Sequence, residues 1–191
     1  MRRHHPVRLL LVAILVGACA TPPAAAFDPS GPCTRDGSAP GAYPELEAMV
    51  PAIYEDAPPE TLDSGRNCTA ESLGTRREAG IDEVRFAGGT WGFGGIRSAA
   101  LAVFSAPGLT ADEMADFYAA SARAANRTLV TAERELTLAG RPVHRIDTET
   151  GPRQQTVVVW PAAEADVVNV VITNDLPDPK IEAAVAAFGG G

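Results

Sequence analysis

The chain has few of the basic residues that bind polyanions such as nucleic acids. Only Lys180 among its 16 basic residues is a lysine, and 24 acidic residues outnumber the basic ones. Three of the basic residues, Arg2, Arg3 and Arg8, lie at the very start, so the remainder is more acidic still. Nucleic acids are bound by basic side chains that neutralise phosphates, and an acidic surface repels them. Composition therefore predicts a protein that does not bind nucleic acid.

Histidine is almost as scarce. Two of the three histidines stand at positions 4 and 5, which leaves His144 alone in the rest of the chain. Zinc sites with several histidines are excluded by that count. The sequence also contains no G-x-S-x-G nucleophile motif, and its glycine-rich stretch, residues 88–95, lacks the lysine of a phosphate-binding loop. We expect no metal, no cofactor and no recognised catalytic site.

Long apolar runs are missing too. The longest, after Arg8, is about 12 residues, whereas a helix needs about 20 to cross a bilayer. Its place between the basic start and the small residues Gly17, Ala18 and Cys19 is typical of a secretory signal.

The end of this leader, Val16-Gly17-Ala18-Cys19, resembles the lipobox of bacterial lipoproteins, although Val16 stands where leucine is usual. The resemblance implies a signal peptide over residues 1–19, a lipid on Cys19 and a membrane anchor. The alternative is cleavage after Ala26, which would release a secreted protein.

The three cysteines are Cys19, Cys33 and Cys68. If Cys19 carries lipid, Cys33 and Cys68 remain to form a disulfide, as expected outside the cytoplasm. Two free thiols are the alternative.

Residues 20–42 are rich in Pro, Ala, Gly and Ser, which predicts a flexible tether. The remaining residues, 43–191, have the length of one domain.

Within that domain, apolar spacing and turn residues predict helices and strands in sequence. Thr110 and Glu113 have capping-box spacing at the start of a helix, and Asp178 with Pro179 predicts the start of the last one. The predicted elements are helices over 43–50 and 69–79, strands over 81–86 and 96–104 around a glycine-rich loop, the helix from 110, strands over 128–138, 143–148, 156–160 and 167–173, and the last helix. This pattern indicates an α+β fold with a single antiparallel sheet and helices packed on one face.

The order of elements over residues 81–188 resembles that of PsbP-like domains and of uncharacterised exported bacterial proteins. This resemblance implies a fold and no activity.

Candidate binding residues are the aromatics Trp91 and Phe93, which the pattern places on the glycine-rich loop. Aromatic side chains are enriched at binding hot spots. The alternative is that both fold onto the core, and Trp160 is interpreted as a core or sheet-edge residue.

These observations favour a non-enzymatic envelope lipoprotein or secreted protein that binds an unidentified partner or small ligand. A hydrolase-like site that joins His144 to a carboxylate is the alternative. A deep pocket holding His144 within reach of a serine and an acid would favour the enzyme.

Overall fold

A computed structural model describes residues 27–189 of the chain. The predicted signal peptide, Cys19 and both proposed cleavage sites lie outside these residues. The elements, in order, are β1 Gly37–Ala39, α1 Pro44–Glu47, β2 Thr61–Asn67, α2 Ala70–Leu73, α3 Thr75–Glu78, β3 Val84–Gly92, β4 Ser98–Ser105, α4 Ala111–Ala124, β5 Thr128–Leu138, β6 Arg141–Thr150, β7 Arg153–Pro161, β8 Val167–Asn174 and α5 Asp178–Ala187.

The eight strands form one antiparallel sheet in the order β1-β2-β3-β4-β8-β7-β6-β5. Each half of the chain contributes a meander, and the two halves meet where β4 pairs with β8, with Leu101 opposite Val171. The predicted single antiparallel sheet is confirmed.

The start of α4 follows from local sequence. The Thr110 hydroxyl accepts a hydrogen bond from the Glu113 backbone N–H, and the Glu113 carboxylate accepts one from the Thr110 N–H. These two bonds satisfy donors that a helix start leaves unpaired. The capping box predicted from the sequence is therefore present. No helix within residues 27–189 has the length and hydropathy to cross a membrane.

The prediction that helices cover one face of the sheet is wrong. The residues of β7 alternate between two apolar clusters: Val157 and Val159 pack with α4, whereas Val158 and Trp160 pack with α1 and α5. Side chains of a strand point alternately to opposite faces, so the helices lie on both. The uninterrupted apolar run of β7 is typical of a strand buried on both faces.

The expected tether does not extend to residue 42, because residues in its second half belong to the domain. Strand β1 pairs with β2, and the Cys33–Cys68 disulfide joins the segment to the end of β2 with the Cα atoms 5.6 Å apart. The Asp36 carboxylate also accepts hydrogen bonds from the Cys68 and Thr69 backbone.

Two further predictions differ from the structure. Most of the predicted glycine-rich loop is the second half of β3, since it pairs with β2 on one side and β4 on the other. The predicted helix over 69–79 is two short helices, because Gly74 adopts a φ of +53° between them. A Cβ at Gly74 would lie 3.0 Å from the Phe117 ring, so that position favours glycine.

The hairpins of the second half agree with the sequence. Between β5 and β6, Ala139 and Gly140 both have positive φ, 48° and 76°, as tight two-residue hairpin turns require. This turn and the β7–β8 turn lie near each other at one end of the sheet, where two clefts open.

Candidate functional site

The first cleft, called here the Trp160 cleft, has a volume of about 840 Å³ and lies on the face covered by α1 and α5. Its walls come from the segment after α1, the β5–β6 turn, the end of β7 and the end of α5. The lining comprises residues 48–53, Arg141, Pro142, residues 160–164, Asn169, Ala187 and Phe188.

Apolar side chains dominate this lining. Val50 is buried beneath the cleft, and Trp160 meets Phe188 edge to face. Ile53 is 54% exposed, one of three large aliphatic side chains in residues 27–189 that face solvent. The volume of the cleft lies within the range of small-molecule sites, about 300 to 1,000 Å³.

Trp160 carries the unusual polar group of the cleft. The residue is 2% exposed, and its indole Nε1 is buried without a hydrogen-bond partner among the described residues. An unmet buried donor costs about 1 to 3 kcal/mol, so native proteins rarely keep one without a reason. A ligand or a water molecule that accepts from Nε1 would remove this cost.

Two more polar side chains line the same cleft. Asn169 is the Cα partner of Trp160 across β7 and β8 and is 7% exposed, and its side chain has no hydrogen bond within residues 27–189. Arg141, half-buried at the start of β6, forms no salt bridge in that part of the chain. The cleft therefore combines apolar side chains with one buried donor that lacks a partner, Trp160 Nε1, and with Asn169 and Arg141, whose polar atoms remain open to water.

The second cleft, called here the His144 cleft, has a volume of about 700 Å³ and lies on the α4 face. His144 Nε2 is 2.9 Å from Asp112 Oδ1, and its Nδ1 is 3.9 Å from Glu135 Oε1. Both carboxylates are more than 80% exposed, so water screens these pairs.

A hydrolase would need a nucleophile here. The residues that line the His144 cleft include no serine and no cysteine, and the hydroxyl of Thr110 is engaged with Glu113 at the start of α4. Among the described residues that line this cleft, His144 therefore meets two carboxylates and no free hydroxyl. No group of three metal-ligating side chains gathers within residues 27–189.

The predicted exposure of Trp91 on a flexible loop is wrong. Trp91 lies on β3, is 3% exposed and donates from Nε1 to the Ala57 carbonyl oxygen at 2.9 Å. Its ring and that of Phe93 both meet Tyr54 edge to face, with centroids 5.8 and 5.7 Å away. Both aromatics therefore hold the segment before β2 against the sheet.

Tyr54 is the centre of that aromatic cluster. Its hydroxyl donates to the Lys180 carbonyl oxygen at 2.9 Å, so the cluster also reaches α5. Burial, with a smaller effect of the Glu55 charge, raises the pKa of Tyr54 to about 12. The cluster is structural. Its burial supports the alternative interpretation from the sequence, in which both aromatics fold onto the core.

Comparison with known proteins adds little to this geometry. No protein-family model and no curated protein matches the chain. Among solved structures it is similar to the extracellular domain of PknH from Mycobacterium tuberculosis, at 14% identity and a TM-score of 0.34, over 80% of this chain and 97% of that one. The resemblances to lipoproteins and to PsbP-like domains stay predictions.

Proposed function

We propose that this chain is an exported, lipid-anchored and non-enzymatic protein whose domain binds a small, largely apolar ligand in the Trp160 cleft. The observation that carries the proposal is the buried, unpartnered indole N–H of Trp160, a residue that lines this cleft.

Location outside the cytoplasm is supported by two independent features. The leader has the anatomy of a secretory signal, and the described domain contains the Cys33–Cys68 disulfide. Disulfides persist in oxidising compartments and are rare in the cytosol. The lipid anchor rests on the lipobox-like sequence that ends at Cys19.

Ligand binding is supported by the shape and chemistry of the cleft. An apolar cavity with a few polar groups encloses the body of a small molecule and fixes its orientation. Ile53 is exposed at its wall, where a ligand would remove its side chain from water. Each of these features is local to the cleft.

The alternative hydrolase has less support. A catalytic histidine activates a nucleophile within hydrogen-bond distance, but His144 faces Asp112 and Glu135 instead. We therefore propose that His144 joins α4 to β6 and takes no part in chemistry.

The test is binding of N-phenyl-1-naphthylamine, a neutral apolar probe that fluoresces on leaving water. The purified chain should bind it with saturation near one probe per molecule. The variant Ala52→Phe fills the wall of the Trp160 cleft at an exposed position, and we expect it to weaken binding about tenfold or more.

The matched control is Ala124→Phe, which adds the same side chain at an exposed position of α4 outside the lining of either cleft. Its affinity for the probe should equal that of the wild type. Equal effects of the two substitutions, or no saturable binding, would contradict the proposed function.

A further inference from the structure

We infer that the ligand of the Trp160 cleft carries an anionic head with at least two acceptor oxygens on an apolar body. This inference rests on the proposed function and adds the chemical class of the ligand. It comes from the character of three polar groups in the lining, namely the buried, unpartnered Nε1 of Trp160 and the side chains of Arg141 and Asn169.

Two of these groups can only donate hydrogen bonds. An indole N–H has no acceptor, and a guanidinium offers five N–H donors and no lone pair. The amide of Asn169 can add a further donor. A ligand that pairs with these donors must therefore present acceptors, and a head with several acceptor oxygens can pair with more than one of them.

The position of Arg141 favours a charged acceptor. Its Nη2 lies beside Gly189, just past the end of α5, where a Cβ would approach that nitrogen to 2.5 Å. The guanidinium is thus held next to Phe188 at the α5 side of the cleft. The guanidinium is half-buried and has no ion pair within residues 27–189. An anionic ligand would supply a counter-charge for it.

Arg145, which lies in the same strand as Arg141, is paired with carboxylates of the protein. Arg145 donates to both oxygens of Asp147 and to Asp178 at 2.8 to 3.0 Å, so its charge is compensated by protein carboxylates. Arg141 has no such partner in the described residues. Within the described residues, only Arg145 of these two arginines has its charge compensated by carboxylates.

One carboxylate in the lining opposes an anion. Glu164 stands on the β7–β8 turn and is exposed, so its charge is hydrated and screened. The buried donors of Trp160 and Asn169 lie on the strands beneath that turn. The inner part of the cleft therefore favours acceptors, and only its rim is acidic.

Carboxylates and phosphate monoesters share the required head. Both offer several oxygens to a guanidinium fork, and both occur on apolar chains. The probes are decanoate, decyl phosphate and, as the neutral control, decanol, each measured by titration calorimetry below its micelle concentration or, for decanol, below its solubility limit.

We expect wild-type protein to bind at least one of the two anionic probes about tenfold more tightly than decanol. Preference between decanoate and decyl phosphate identifies which head the site fits. Arg141→Gln should lower the affinity for the preferred anion about tenfold and leave that for decanol unchanged. Trp160→Phe keeps the aromatic ring and removes the N–H, so it should weaken the anion several-fold.

The matched control for charge is Arg153→Gln. Arg153 is exposed at the opposite end of β7, so this variant alters net charge equally without touching the cleft. It should bind the anion like wild type, and thermal unfolding should show that both glutamine variants are folded.

Equal wild-type affinity for anions and decanol, binding of none of the three probes, or equal losses in Arg141→Gln and Arg153→Gln would overturn the inference. Such results would leave the proposed function standing if Ala52→Phe still weakens the neutral probe. Loss of that neutral-probe result would instead overturn the proposed function itself.

Discussion

Trp160 and Phe188 meet edge to face with ring centroids 5.1 Å apart and planes at 88°, which fixes the end of α5 against the end of β7. Such aromatic pairs contribute about 0.5 to 1.5 kcal/mol beyond the area they bury. The contact forms one wall of the Trp160 cleft.

We expect Phe188→Ala to lower the free energy of unfolding by about 2 kcal/mol, less than for a fully buried phenylalanine because Phe188 is half-buried. Urea denaturation followed by circular dichroism measures this. In a Trp91→Phe background, Trp160 is the only tryptophan, and its emission should shift to the red when Phe188 is truncated. An unshifted spectrum would mean that the ring contact does not shield Trp160.

The Cys33–Cys68 disulfide closes a span of 35 residues. Loop-closure entropy predicts that the double variant Cys33→Ser, Cys68→Ser is less stable by about 4 kcal/mol. Denaturation of wild type with and without a reductant gives an independent measurement, and the reductant should not affect the double variant. Equal stability of the oxidised wild type, the reduced wild type and the double variant would show that the disulfide does not restrict the conformations of the unfolded chain.

Arg76 is 1% exposed and contacts no carboxylate among the residues that the structure describes. It donates to the Leu73 and Ser72 carbonyl oxygens and lies 3.8 Å from the centroid of the Phe117 ring. Burial lowers the pKa of its guanidinium.

Lysine cannot reproduce the planar fork or the stacking of Arg76 but would bury an ammonium. We therefore expect Arg76→Lys to lower stability by about 2 kcal/mol, and Arg76→Met, which fills the space without a charge, to cost less. The urea denaturation midpoints of the two variants show which of them is more stable. A lysine variant more stable than the methionine variant would refute the argument.

Asp147 predicts a pH dependence. Burial raises the pKa of its carboxyl, but hydrogen bonds from Thr156 and Arg145, together with the charges of the arginines, outweigh it and hold the pKa below the ordinary value. The Asp147 carboxylate therefore binds a proton more readily in the unfolded chain than in the folded one. Ionised Asp147 stabilises the fold fully above about pH 4, and this stabilisation is lost as the pH falls through the lowered pKa.

Asp147→Asn should cost about 2 kcal/mol at neutral pH and flatten the fall of stability between about pH 4 and pH 2. The control Asp82→Asn, at an exposed position, should leave the slope unchanged. Identical acid profiles of wild type and Asp147→Asn would show that the network does not favour the ionised form.

Lipid attachment predicts the mass of the mature protein. In a bacterial host the N-terminal peptide should begin at Cys19 and carry acyl groups, and Cys19→Ser should release the protein from membranes. Mass spectrometry of the native N-terminus checks this. An unmodified start at Phe27 would instead establish cleavage after Ala26.

The sequence predicts those parts of the fold that depend on local chemistry. The capping box of α4 and the turn at Ala139 and Gly140 are visible in short stretches, and the cysteine pairing follows from the small number of cysteines. Strand β2 was missed because its polar, glycine-containing sequence has no strand periodicity. It is held by pairing with β1 and β3, which is information from distant parts of the chain.

The candidate site was harder to predict for the same reason. A missing partner for Trp160 Nε1 is a property of the folded molecule, and no local pattern reports it. One signal was present: Asn169 interrupts the apolar run of β8 at a position that is buried. A polar residue in such a run indicates either a buried hydrogen bond or a ligand.

The junction of β4 with β8 has a consequence for the making of the protein. Residues 98–105 emerge from the ribosome well before their partners at 167–174, so the apolar strand β4 has a bare edge until those partners have also been made. Unpaired edges of this kind recruit other chains. A nascent or truncated chain that ends before residue 167 is therefore a client for chaperones and a seed for aggregation, whereas the finished chain covers that edge itself.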